Sequence, residues 1–203
     1  MENKFTENIV RTFELPLPDG ATMDQQLDAI IPKVKPWGED LYETKYYLEK
    51  RWLEVSDEDT SHESILHIFL IEGGDPEIGD GENIYINSID GNISRGVWKT
   101  LTKSNTLIIT KLDPEGGAYV DELYDLAFLN NDFFILKKHG NQKRKGGKKY
   151  KVLARERAVK GLEWRDAMEL LYNQYRNNSM WIIALIALIV VVFALFGYSY
   201  FSN

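Results

Sequence analysis

The sequence predicts a mainly β protein: an eight-stranded antiparallel meander or barrel with an N-terminal helix, a C-terminal amphipathic helix and one transmembrane helix. Three observations predict this fold class. From residue 46 onward, short runs of β-branched and aromatic residues alternate with turn residues, which is the pattern of strands joined by hairpins. Two segments outside these runs repeat apolar residues at helical spacing. Finally, segment 180–196 contains only apolar side chains.

Eight strands are predicted between residues 46 and 155. The loops between the predicted strands contain turn residues, such as Asp90-Gly91-Asn92 and Asn130-Asn131-Asp132, which accept positive φ or cap their own backbone. Because strands joined by short turns pair as antiparallel neighbours, the predicted order is an up-and-down barrel or a strongly coiled sheet. The predicted strands are 46–55, 64–71, 83–89, 93–100, 106–111, 122–129, 133–138 and 149–155.

Side-chain alternation predicts which residues fill the interior. Trp98 shares one face of the fourth strand with the small Gly96, so its ring is predicted to point into a crowded interior. Trp52, on the first strand, is predicted to meet it there. Phe128 and Phe133 are also expected to face inward, and four such bulky rings would fill a small barrel.

Two amphipathic helices are predicted beside the strands. Thr22 and Gln25 have the spacing of a capping box, which opens a helix that ends near Pro36. Apolar residues recur at helical spacing again from about 158 to 177. A short strand at about 9–15 is predicted ahead of the first helix. The predicted organisation is an appendage over 1–45, a barrel domain over 46–156, a juxtamembrane helix over 157–179 and a transmembrane helix over 180–201.

The transmembrane helix is predicted from length and composition. At about 1.5 Å per residue, roughly 20 apolar residues cross a hydrocarbon core of about 30 Å. Trp181 stands at one boundary of the segment, and Tyr198 and Tyr200 stand at the other. Aromatic residues of this kind favour the headgroup layer, so these three are predicted to mark the membrane interfaces.

Basic residues precede this segment and none follows it. The positive-inside rule therefore places the N-terminal domain in the cytoplasm. The first residues show no secretory signal, and the absence of cysteine fits a reducing compartment. The expected location is the bacterial inner membrane, crossed once.

A basic cluster stands out from an otherwise acidic chain of net charge −7. Residues 137–151 contain eight lysine or arginine residues and no acidic residue. Near a bilayer, such a loop attracts anionic headgroups, so membrane lipid is a predicted partner. Nucleic acid is disfavoured, because the tip of the loop holds no aromatic residue for base stacking. The residues predicted to contact anionic lipid are Lys143, Arg144, Lys145, Lys148 and Lys149.

Three stretches resemble small bacterial lipocalin-like domains. They are Lys-Arg-Trp-Leu-Glu-Val at 50–55, Gly-Asn-Ile-Ser-Arg-Gly-Val-Trp-Lys at 91–99 and the hairpin 123–140. The resemblance covers about residues 46–156 and implies a barrel whose floor is closed by Trp52. A pleckstrin-homology-like barrel closed by the helix at 158–177 is the alternative, since a sheet followed by an amphipathic helix suits either fold.

No motif for catalysis or metal binding emerges. The four carboxylates of segment 75–83 lack the ligand spacing of a calcium loop. His62, His67 and His139 are too scattered along the chain to propose a metal site. The sequence therefore favours a protein without cofactor or enzymatic activity.

Two functions follow from these observations. The leading hypothesis is a non-catalytic, tail-anchored protein whose cytoplasmic barrel binds a protein partner as an accessory or scaffold subunit of a membrane assembly. The alternative is a membrane-tethered sensor that binds a small apolar or nucleotide ligand inside the barrel. The interior distinguishes them, because bulky rings leave no room for a ligand.

Overall fold

The protein contains a closed barrel of eight antiparallel strands, each paired with its neighbours in sequence order. The structure is a computed structural model that describes residues 20–58, 64–72, 82–112, 119–140 and 147–201. The predicted mainly β architecture and its meander order are confirmed. The strands are β1 Trp52–Val55, β2 Ile65–Glu72, β3 Glu82–Ile89, β4 Asn92–Leu101, β5 Thr106–Leu112, β6 Tyr119–Leu129, β7 Phe133–Lys138 and β8 Tyr150–Arg155.

The barrel closes between β1 and its two neighbours. β8 pairs with the whole of β1, from Trp52 to Val55. β2 pairs with β1 only through Trp52 with His67 and Leu53 with Leu66. The ladder between β1 and β2 therefore stops halfway along β1, and we call the unpaired part beyond Leu53 the β1–β2 seam.

The first strand is shorter than predicted. The segment ahead of it forms a 3₁₀ turn over Thr44–Tyr46, and Glu49 adopts a left-handed φ of 56°. A left-handed residue breaks the extended backbone, so residues 46–51 cannot continue β1. This segment instead carries the Tyr47 side chain, which is fully buried.

A bulge in β6 changes which aromatic residues face the interior. The register with β7 shifts between Leu126 and Phe128, and an extra residue at a bulge reverses the alternation beyond it. Leu129 and Phe134 therefore belong to the interior cluster, whereas Phe128 and Phe133 are buried outside it. The predicted inward orientation of Phe128 is wrong for this reason. That of Phe133 is wrong because alternate residues of β7, Phe134 and Leu136, take the inward positions.

The N-terminal helix α1, Met23–Val34, begins with the predicted capping box. Thr22 Oγ1 accepts from the Gln25 amide at 3.3 Å, and Gln25 Oε1 accepts from the Thr22 amide at 3.0 Å. The helix packs against β6, and its Asp24 carboxylate accepts hydrogen bonds from the amides of Lys149 and Tyr150 at the start of β8. Helix α1 thus covers part of the apolar outer face of the barrel.

Two helices follow the barrel: α2, Glu156–Val159, and α3, Trp164–Phe201. The chain divides into two compact units, Leu17–Met168, which holds the barrel, and a second that includes Glu169–Asn203. Within the second unit, Asn173 donates to Glu169 one turn earlier at 3.3 Å.

The predicted transmembrane helix is not supported. In the part of the chain that the structure describes, no helix combines the length and the apolar character needed to cross a bilayer. A spanning helix needs about 20 predominantly apolar residues. The predicted fold class was therefore wrong to include a transmembrane helix over 180–201. The fold class is a closed barrel with flanking helices.

Candidate functional site: a charged layer and a cleft at the β1–β2 seam

Aromatic side chains fill one half of the barrel interior. Tyr47 enters from the segment before β1, and its ring lies 5.7 Å from Trp98 and 5.5 Å from Phe134. Trp52 lies 5.8 Å from Phe134, and its indole donates to the Tyr47 carbonyl at 3.1 Å. Tilted and edge-on rings at these separations stabilise the core beyond the area they bury. This aromatic half closes one end of the barrel.

A layer of polar and charged side chains occupies the other half of the interior. Most members lie two residues from an inward-facing apolar residue on the same strand, because alternate residues share a face. Tyr85, which stands between Asn83 and Asn87 on its face of β3, is the exception. Glu54 follows Trp52, His67 precedes Phe69, and Lys151 precedes Leu153. The charged layer comprises Glu54, His67, Tyr85, Lys111, Glu122, Tyr124 and Lys151.

Glu54 is the centre of the first group in this layer. The Lys151 ammonium donates to Glu54 at 2.9 Å, and the His67 Nε2 lies 2.9 Å from the same carboxylate. Burial by itself would raise the pKa of Glu54, but the hydrogen bond from His67 and the charge of Lys151 outweigh it and hold the pKa well below its ordinary value. Glu54 is therefore ionised at neutral pH.

The ionised carboxylate determines the tautomer of His67. A carboxylate only accepts hydrogen bonds, so His67 Nε2 carries the proton toward Glu54. His67 Nδ1 then accepts from the Tyr85 hydroxyl at 2.6 Å. Burial lowers the pKa of His67, with the hydrogen bond to Glu54 opposing it, so the imidazole stays neutral. Tyr85 keeps its proton because burial raises its pKa.

A second group repeats this arrangement on β5 and β6. Lys111 pairs with Glu122 at 2.9 Å, and the Tyr124 hydroxyl donates to Glu122 at 3.0 Å. Burial would raise the pKa of Glu122, but the charge and hydrogen bond of Lys111 outweigh it and lower the pKa. The two carboxylates of the layer are thus matched by two ammonium groups.

A cleft of about 800 Å³ opens at the β1–β2 seam. Its walls are residues 53–58 at and after the end of β1, Ser64 and Ile65 at the start of β2, Lys148 ahead of β8, and the segment that leads from α2 into α3. Glu54 lines the cleft and also belongs to the charged layer. The cleft therefore reaches the interior charges from outside the barrel.

The described members of the predicted lipid-contacting cluster are paired with acidic side chains. Lys149 pairs with Asp28 of α1. Lys148 lies 3.6 Å from both Asp57 and Glu58 and donates to Ser56. These pairs tie the start of β8 to α1 and to the end of β1.

The other predicted contacts with the membrane are not described. Lys143, Arg144 and Lys145 lie outside the described residues. The side chains of the predicted interface residues Trp181, Tyr198 and Tyr200 also lie outside the described part.

The predicted interior tryptophans are both buried. Trp52 and Trp98 belong to the same interior cluster, with exposed fractions of 0% and 3%. Sequence reasoning did not single out Glu54, His67 or Lys151 as one group. The signal that could have found them is a polar residue two positions from an inward-facing ring or leucine. In the described ranges, no group of three or more His, Asp or Glu side chains is placed to hold a metal ion.

These features define the class of protein: a closed up-and-down barrel of eight antiparallel strands whose interior is half aromatic and half charged. This architecture is consistent with a lipocalin-like domain. Comparison of the chain with protein-family models, with curated proteins and with solved structures finds no match.

Proposed function

We propose that the protein is a non-catalytic binding module whose lipocalin-like barrel holds a protein partner on its outer surface, as an accessory subunit of a larger assembly. The observation that carries the proposal is a stripe of exposed apolar residues on the outward face of β4. Ile93, Val97 and Leu101 are 71%, 36% and 48% exposed. We call these three residues, with Arg95 and Lys99 between them, the β4 stripe.

The chemistry of the β4 stripe suits a protein partner. Residues 93, 95, 97, 99 and 101 share the outward face, because alternate strand residues share a face, and apolar residues occupy every second of these positions. Arg95 and Lys99 are exposed between them and bring two positive charges. Apolar contact with flanking charge is typical of protein interfaces. The partner expected here carries apolar side chains bordered by acidic residues.

The state of the interior supports binding without catalysis. The ionised groups of the charged layer already form short hydrogen bonds and ion pairs with one another. The Tyr85 hydroxyl donates to the imidazole of His67, which is also the arrangement of a catalytic nucleophile and its base. However, Tyr85 is only 3% exposed, and its raised pKa keeps the hydroxyl protonated. A buried hydroxyl of this kind stabilises the interior and is poorly placed for reaction with a substrate.

The alternative, a sensor with its ligand inside the barrel, receives less support. Such a ligand needs space that Tyr47, Trp52 and Trp98 occupy with fully or nearly fully buried rings. A position at the inner membrane and contact with anionic lipid stay predictions from the sequence.

Substitution of the stripe tests the proposal. In the host cell, the wild-type protein is expected to migrate as a complex in native electrophoresis of a mild extract. The double variant Ile93→Glu with Leu101→Glu should migrate as the free chain, because two carboxylates repel an acidic partner. Tyr42→Glu is the matched control, since Tyr42 is 60% exposed and lies outside the stripe. It should leave the complex intact.

Two outcomes would overturn the proposal. One is a wild-type protein that migrates as a lone monomer, or a double variant that remains in the complex. The other is a co-purifying small molecule that a co-crystal structure places inside the barrel, among the rings of Tyr47, Trp52 and Trp98, which would favour the sensor. Circular dichroism of each variant shows whether the fold is intact.

A further inference from the structure

The cleft at the β1–β2 seam is large enough to hold a small molecule. Its volume of about 800 Å³ lies within the range of about 300–1,000 Å³ typical of ligand sites. The opening results from the backbone, since β1 and β2 share no pair beyond Leu53 and Leu66. Apolar walls come from both sides: Leu53, Val55, Ile65, Val159, Leu162 and Trp164.

The cleft carries an excess of negative charge. Four carboxylates line it, those of Glu54, Asp57, Glu58 and Glu163, against the single ammonium of Lys148. Lys151 neutralises Glu54 from within the barrel. Four carboxylates stand against two ammonium groups and the Arg165 guanidinium that lies over the Trp164 ring, which leaves an excess of one negative charge at this cleft.

Lys148 shows which cation the acidic end accommodates. Its primary ammonium lies 3.6 Å from both Asp57 and Glu58, and its side chain is 23% exposed. One ammonium thus serves two carboxylates. Glu163, on the opposite wall before α3, is exposed and adds a further carboxylate beside the Trp164 indole. The Arg165 guanidinium already lies over this indole, 4.5 Å from the ring centroid, so the ring accepts an organic cation as aromatic rings next to charge do.

We infer that the seam cleft binds a small organic cation: a protonated primary amine with an apolar body. The ammonium group lies among the carboxylates of Asp57, Glu58 and Glu163, and the apolar body packs against Leu53, Leu162 and Trp164. The site lies on β1, β2 and the segment before α3. It is therefore independent of the β4 stripe, and either assignment can fail without the other.

Isothermal titration calorimetry of the full chain with 4-phenylbutylamine tests the inference. The matched probes 4-phenylbutanol and 4-phenylbutyrate keep the carbon skeleton and change only the charge. The amine is expected to bind at least about fivefold more tightly than the alcohol, and the carboxylate more weakly still, because each exposed carboxylate near an ammonium contributes modestly. Equal affinity for the amine and the alcohol, or no heat from the amine at millimolar concentration, would overturn the inference.

Three variants locate the site. Glu163→Gln should weaken amine binding about threefold to fivefold, while the control Glu43→Gln, an exposed carboxylate outside the cleft, should leave it unchanged. Lys148→Gln should tighten it severalfold, because it removes the resident ammonium from Asp57 and Glu58. Equal weakening by Glu163→Gln and Glu43→Gln would mean that the amine responds only to the net charge of the chain, and the cleft assignment would be wrong.

Discussion

His67 and Lys151 donate to the same carboxylate oxygen of Glu54, each over 2.9 Å. The two donors come from β2 and β8, the strands on either side of β1. One buried carboxylate therefore connects three strands where the ladder between β1 and β2 has only two register pairs. Closure of the barrel at the seam depends on this carboxylate as well as on backbone pairing.

Substitution Glu54→Gln should destabilise the fold by about 3 kcal/mol, because it leaves the Lys151 ammonium without its counter-charge in a largely buried site. The side chains of Lys151 and Glu54 are only 14% and 20% exposed, so water compensates little. Urea unfolding followed by tryptophan fluorescence measures the change. The control Glu156→Gln breaks a surface pair with Arg51 and should change stability little. Equal losses in the two variants would contradict the central role of Glu54.

Acid should weaken the fold in two stages. Burial lowers the pKa of His67 below its ordinary value of 6.5, so the unfolded chain binds more protons than the folded one below that pH. The stability that neutral His67 contributes is present above about pH 6.5 and is lost as the pH falls toward the folded pKa. The depressed pKa of Glu54 adds a further loss below about pH 4.5.

The pH dependence of urea unfolding checks this prediction. One titrating group changes the free energy of unfolding by at most about 1.4 kcal/mol per pH unit. The His67→Gln variant should have a flatter profile between about pH 6.5 and pH 5. The exposed His139, which lies 3.0 Å from Asp125, is present in both proteins, so a difference between the two profiles reports on His67. A profile that is unaltered in His67→Gln would contradict the assignment.

Gly96 should not tolerate alanine. A Cβ at this position of β4 would overlap the backbone carbonyl of Thr110 on β5, and backbone atoms cannot move aside as a flexible side chain would. Gly96→Ala is expected to cost about 2 kcal/mol or more. The control Gly140→Ala meets no atom within 4 Å and should be nearly neutral. Thermal unfolding of both variants measures the difference, and similar melting temperatures would show that the strands adjust.

Asp24 should hold the start of β8 in place. Its carboxylate accepts from the Lys149 amide at 2.8 Å and from the Tyr150 amide at 3.2 Å. Asp24→Ala frees both amides and should cost about 2 kcal/mol. Hydrogen exchange at these two amides should accelerate more than elsewhere in β8. Asp40→Ala, which removes only a local bond to Tyr42, is the control. Unchanged exchange at Tyr150 would refute the anchoring role.

Local patterns predicted much of the barrel. Period-two alternation and turn residues placed all eight strands, and the Asp90-Gly91 hairpin has the positive φ angles of 49° and 88° that these residues favour. Alternation also indicated that Trp98 shares its face with Gly96. These signals are local, because each depends on a few neighbouring residues.

The errors arose where the structure depends on an irregular backbone or on residues that are distant in the sequence. The β6 bulge reversed the face of Phe128, and a one-residue register shift leaves no clear mark in a hydrophobic run. On β7, where residues 133–136 are all apolar, alternation could not show which ring faces inward. The transmembrane helix was inferred from the length and composition of one segment, and in the described part of the chain the structure does not support it.

The sequence by itself determined the number and order of the barrel strands, the capped helix ahead of them and the segregation of charge, while the strand predicted at about 9–15 lies outside the described residues. Only the tertiary structure decided that Glu54, His67 and Lys151 meet at one oxygen, and that Lys148 and Lys149 pair with acidic side chains. Strand propensity and turn chemistry act between near neighbours in the chain. The register that brings β8 beside β1 joins residues about 100 positions apart, and closure of the barrel is what sets it.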